Sequence, residues 1–152
     1  MLLKRQRIRA HFQKFVSLIM LAMLLNSCSI HLVPQYNADL EQQIKDGAKL
    51  SDRLYLQMIV AAPDAKSFSL YEDKYLNVQV EINSILFQDE IRPKANDIVA
   101  SVQKLRDYFT KAMEDHRSKK TLSNGELTIY HEQLQAFWRP VLIEEIALKK
   151  VK

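Results

Sequence analysis

The chain is poor in residues that bend or cross-link a backbone. Its 152 residues include one cysteine, two glycines and four prolines. A lone cysteine excludes an internal disulfide and the metal frameworks that need cysteine ligands in sets. Glycine at only Gly47 and Gly125 argues against a β-protein dense in tight turns, and it excludes a phosphate-cradling loop, which needs clustered glycines. No Gly-x-Ser-x-Gly nucleophile turn occurs. No apolar run reaches the roughly 20 residues that a membrane-spanning helix requires. Leu, Ala, Glu, Gln and Lys are abundant instead, and they favour long uninterrupted helices.

Charge is distributed unevenly. Lys4, Arg5, Arg7, Arg9 and Lys14 precede an apolar run from Phe15 to Leu25, and no Asp or Glu lies before Cys28. That run has the length of a signal-peptide core, about 7–15 residues, with the matching positive flank. Of the 22 Lys and Arg, five belong to this segment, leaving 17 against 18 Asp and Glu in the rest. The overall charge of +4 is therefore a property of the leader. The remainder has no clustered positive field for counterion release, so no nucleic-acid partner is expected.

The run ends in Leu25-Asn26-Ser27-Cys28. This resembles the lipobox of bacterial lipoprotein precursors: an aliphatic residue, a small residue, then Gly, Ala or Ser before an obligatory Cys. Asn26 departs from the usual small residue. The resemblance covers residues 1–28 only. It implies that the Cys28 thiol receives a diacylglyceryl group, that residues 1–27 are cut away, and that the new amino end is acylated. Two or three acyl chains, at about 0.8 kcal/mol per buried methylene, would hold where one would not. The bare residues also admit an ordinary cleaved signal with an incidental thiol, or an uncleaved amino-terminal anchor. Ser29 stands where Asp signals inner-membrane retention in Gram-negative lipoproteins. The resemblance therefore implies the outer membrane, facing the periplasm, in such a host.

Residues 28–36, with Pro34, read as a lipidated tether, and 37–152 as one helical domain. Asn37 is placed to cap a first helix with Asp39 and Glu41 in its first turn. Leu40, Ile44, Ala48, Leu54, Met58 and Ala61 form its broken stripe, interrupted by Gly47 and stopped before Pro63. A second helix starts at Asp64 or at a Ser69–Glu72 capping box. Its seam is Phe68, Tyr71, Tyr75, Val78, Ile82 and Ile85, with Asn77, Glu81, Ser84 and Gln88 expected to face water. Arg92-Pro93 ends it. Asn96 is placed to cap a third, with Ile98, Val102, Leu105, Phe109, Ala112 and His116 inward and Asp107–Lys111 and Asp115–Lys119 pairs outside. A Ser123–Glu126 box opens a fourth, with Leu127, Tyr130, Leu134, Phe137 and Val141 in its stripe, a kink or break at Pro140, and a Glu145–Lys149 pair after it. Short connections predict an all-α, antiparallel up-and-down four-helix bundle behind the lipoprotein signal peptide.

Candidate chemistry is sparse. His131-Glu132 begins like a zinc helix motif, but position 135 is Gln. His116 and His131 flank one loop near Glu114, Asp115 and Glu132, and a metal would need them to meet. Met58 or Met113 with a histidine is the only haem-type pairing, and core filling explains both methionines. The adjacent acids Glu72-Asp73, Asp89-Glu90, Glu114-Asp115 and Glu144-Glu145 point about 100° apart and read as solvated faces or helix ends. Tyr71, Tyr75, Tyr130, Phe137 and Trp138 read as core. Trp138, beside Pro140, is also a candidate exposed anchor for a partner. The expectation is therefore a non-enzymatic envelope lipoprotein, attached at Cys28, that binds or scaffolds another envelope protein. No catalytic residue, cofactor or metal is expected. The alternative is a small-ligand or metal-binding bundle with a cavity near Gly47 or the His116/His131 loop.

Overall fold

The computed structural model describes residues 33–151. Cys28 and the apolar run lie outside the described residues. Four long helices follow one another: α1 (Ala38–Val60), α2 (Phe68–Glu90), α3 (Asn96–Lys119) and α4 (Asn124–Leu148), with a 3-10 turn at Pro63–Ala65 between the first two. Consecutive helices pack together and α4 closes the ring against α1, so the described residues form an all-α four-helix bundle with α2 and α4 on one diagonal.

Local chemistry sets most boundaries. Asn37 Oδ1 accepts from the backbone N–H of Asp39 and Leu40 at 3.0 and 3.2 Å, satisfying two of the unpaired donors at the start of α1. Ser123 and Glu126 make the reciprocal capping box that opens α4. The expected starts of the two middle helices shift. Ser67 is the residue before α2 and contributes no side-chain cap, while Asp64 sits in the 3-10 turn. Asn96 is the first helical residue of α3, behind an uncapped Ala95. At that end of α2 the backbone is held from across the bundle, where Phe68 N–H donates to Lys120 O at 2.8 Å.

α4 runs unbroken through Pro140. The proline costs a backbone donor, but Pro140 and Ala136, whose carbonyl loses its partner, are both exposed. At an exposed position water can replace the lost hydrogen bond, so no break is forced.

The inner seam of α2 is buried throughout: Tyr75, Val78, Ile82 and Ile85 completely, Phe68 and Tyr71 nearly so. They meet Leu40, Ile44, Leu54 and Tyr55 of α1, Leu105 and Phe109 of α3, and Leu127 and Leu134 of α4 in one core. The polar row expected to face water does so only at Asn77. Glu81, Ser84 and Gln88 are half-buried toward α1. Gln43 Nε2 donates to Ser84 Oγ at 2.9 Å, and the Gln88 amide donates to Gln43 Oε1.

Gly47 has a specific packing reason. A Cβ there would stand 2.7 Å from Cη2 of Trp138, so glycine lets α1 and the indole of α4 approach. The ring fills the space directly against Gly47, and a groove opens beside it over the same indole.

Candidate functional site

Two clusters of polar side chains close the two ends of the bundle. A groove and an exposed helix face lie between them.

At the end where the chain begins, Arg92 is shared by two carboxylates from different elements. Its Nη1 donates to Asp89 Oδ1 at 2.6 Å and to Glu145 Oε2 at 2.8 Å. Both carboxylates are fully buried. Nη2 donates to the carbonyl of Gln35 at 2.7 Å, and Asn37 N–H donates to Glu145 Oε1 at 2.8 Å. Glu41 joins alongside, accepting from Tyr36 Oη at 2.8 Å and pairing with Lys149 at 2.6 Å and with Lys45. Lys149 also stands over the Tyr36 ring, 5.0 Å from its centroid. The segment expected to be a free tether through position 36 is thus fastened to the bundle. Pro34 is buried, and Val33 and Tyr36 pack on the core.

The cluster carries one guanidinium for two interior carboxylates. Burial pushes the Asp89 carboxyl up to about 6 against the pull of Arg92, with Glu145 and Glu144 raising it further. Asp89 Oδ2 is buried with no partner among the described residues. Glu41, ringed by Lys149, Lys45 and Tyr36, is held down at about 2. Sequence reading missed this site. Asp89 and Glu145 sit in acidic pairs that look solvated, and Lys149, expected to pair with Glu145, pairs with Glu41 instead.

The opposite end is built around a histidine. His116 is fully buried. Its Nε2 lies 2.9 Å from Lys66 O, a carbonyl that only accepts, so Nε2 carries the proton and Nδ1 accepts from Tyr75 Oη at 3.0 Å. Burial holds the imidazole pKa below its ordinary value, only partly offset by the bond to Lys66 and the charge of Asp115. Phe68 packs edge-on to the imidazole, 5.5 Å between centroids, and Arg117 covers the other part of Phe68. Around the loop, Lys119 pairs with Asp115 and Glu126, each at 2.8 Å, and Tyr130 Oη donates to Asp115 at 2.6 Å.

His131 does not join His116. Its Nε2 meets Asp52 Oδ1 of α1 at 2.5 Å, with Gln135 Nε2 donating to the same oxygen at 3.0 Å. Among the described residues no three His, Cys, Asp or Glu are placed to hold a metal ion. Met58 and Met113 pack in the core.

The Asp52 cluster borders a groove of about 370 Å³ between α1 and α4, lined by Ala48, Lys49, Asp52, Gln135, Trp138, Arg139 and Leu142. Trp138 is only 4 % exposed, so it floors this groove rather than standing out as an anchor. Beside it, the outer face of α4 presents Ile129, Gln133, Ala136, Pro140, Ile143 and Ala147, all exposed. Their spacings alternate four and three, the spacing of a helix–helix seam, and none carries charge. The signal was present in the sequence as a second 4-3 register beside the inner one.

No helix among the described residues is long and apolar enough to cross a membrane. No family model, curated protein or solved structure matches the chain.

Proposed function

We propose that this chain is a lipid-anchored protein of the bacterial cell envelope, attached through Cys28, whose helical domain binds or scaffolds another envelope protein. In a Gram-negative host it belongs to the outer membrane and faces the periplasm. The anchor rests on the basic flank, the short apolar run and Leu25-Asn26-Ser27-Cys28. The protein partner rests on one observation, the uncharged outer row of α4. A lone helix face in water does better with charge. An aliphatic seam at 4-3 spacing is the form in which one helix receives another. Nothing in this reading calls for catalysis: the buried acids and histidine are occupied in closing the bundle.

The second reading, a small-ligand bundle, has the groove over Trp138 as its support. The readings separate experimentally. A photo-crosslinking residue at Ile129 or at Ile143 in intact cells should capture the same envelope protein from both positions. Capture from neither, with a small molecule co-purifying and lost on Trp138→Ala, would favour the ligand.

A further inference from the structure

α2 carries a second apolar row on the side away from the core. Leu76, Val80, Phe87 and Ile91 fall within about 60° of one another at 3.6 residues per turn. They are 45 %, 65 %, 62 % and 67 % exposed. At 1.5 Å per residue the row is about 22 Å long. The exposed polar positions among them, Asn77 and Asn83, are uncharged. Of the charges on this stretch, Asp89 is fully buried, Glu81 is half-buried beside Gly47 of α1, and Glu90 is exposed at the edge of the row by Ile91. An outward helix face with no exposed charge from Leu76 to Phe87 marks a binding surface.

The row ends beside the point where the chain leaves the bundle. Ile91 adjoins Arg92, whose guanidinium holds the Gln35 carbonyl, and Val33 packs on the core. Cys28 stands five residues before Val33. Fully extended, five residues span at most about 18 Å. That is shorter than the row and less than two helix diameters of about 10–12 Å. Given an acylated Cys28, on which this inference rests, the Ile91 end of α2 stays close to the lipid surface.

We infer that α2 lies along that surface, with Leu76, Val80, Phe87 and Ile91 in the boundary between headgroups and acyl chains and with Asn77 and Asn83 among the headgroups. The lipid it fits is zwitterionic. Glu72, Asp73 and Glu90 flank the row against the exposed lysines Lys74 and Lys94, a net negative charge that an anionic surface would repel. This placement turns α4, diagonal to α2, away from the bilayer, and the uncharged row of α4 then points toward a protein partner.

The test places an environment-sensitive fluorophore at one site of the acylated chain, through Val80→Cys, Phe87→Cys or, on α4, Ile143→Cys. With Cys28 acylated, the introduced thiol is the only one free. Intact mass first confirms acylation. On phosphatidylcholine vesicles, emission from positions 80 and 87 should shift to the blue and lose most of its intensity to lipids carrying a shallow doxyl quencher. Position 143 should do neither, and adding phosphatidylglycerol should weaken the α2 signals. In a second arm, residues 28–152 with Cys28→Ser are held on the same vesicles by an amino-terminal histidine tag and a chelating lipid. That arm reads the face whether or not Cys28 is acylated, so loss of the anchor and loss of the lipid contact are distinguishable. Equal, unquenched emission at 80, 87 and 143 in both arms would overturn the inference and assign the α2 row to a protein instead.

Discussion

Where the chain leaves toward Cys28, Arg92 is shared by the buried carboxylates of Asp89 and Glu145. At the other end, Tyr75 and the Lys66 carbonyl hold a neutral imidazole. Both arrangements tie a connection to the core across long sequence separations, and they respond to solution conditions in opposite directions. Asp89 has its folded pKa raised to about 6 from an ordinary 3.8. The folded state therefore binds the proton more tightly, and the Arg92 end gains stability as pH falls through 6 toward 4. His116 has its folded pKa lowered, so protons favour the unfolded chain. The His116 end is fully stable above 6.5 and loses stability as pH falls below it. Between about pH 6 and 5 the end that holds the outgoing chain is thus the one that acid tightens, and below about 4.5 protonation of Glu41, held at about 2, opposes it.

Breaking the ionic end should have the largest effect. Arg92→Ala leaves two interior carboxylates without a cation, which costs about 3–5 kcal/mol and should show as a much lower urea midpoint. Proteolysis should then cut near Gln35 first, because that carbonyl loses its tie. Breaking the neutral end costs less. Tyr75→Phe keeps the ring but leaves His116 Nδ1 buried without a donor, worth about 1–3 kcal/mol in the same melt. Asp89→Asn should have the smallest effect at neutral pH, about 1 kcal/mol or less of either sign, because it removes the charge in excess over Arg92. Its value lies in the comparison. In Asp89→Asn, hydrogen-exchange protection near Arg92, corrected for the intrinsic pH dependence of exchange, should no longer rise between about pH 7 and pH 5, while protection near His116 still falls. If both ends of wild type shifted together, the account of two opposed ends would be wrong.

Helices and seams were legible because burial imposes a 3.6-residue period, and the six residues from Phe68 to Ile85 obey it. Two caps were legible because their side chains act within three residues. The ion cluster was not, because Glu145 meets Asn37 and Arg92 at separations of 108 and 53 residues, beyond any local pattern. Acidic neighbours such as Glu144-Glu145 look alike in sequence, yet one lies inside and serves the fold. Of the kink or break expected at Pro140, the break does not occur. A proline's cost depends on whether its orphaned carbonyl meets water, and the exposure of Ala136 decides that. Trp138 was legible as an aromatic of interest but not as the ring that explains Gly47, since only packing brings the two together.

The central claim is that the domain's outgoing end is held to lipid at Cys28. Intact mass spectrometry of the protein extracted from bacterial membranes tests it most directly. The account predicts a chain beginning at Cys28, heavier than residues 28–152 by a diacylglyceryl group and an amino-terminal acyl chain, with both additions lost in Cys28→Ala. A chain beginning at Met1, or one bearing an unmodified Cys28, would contradict it.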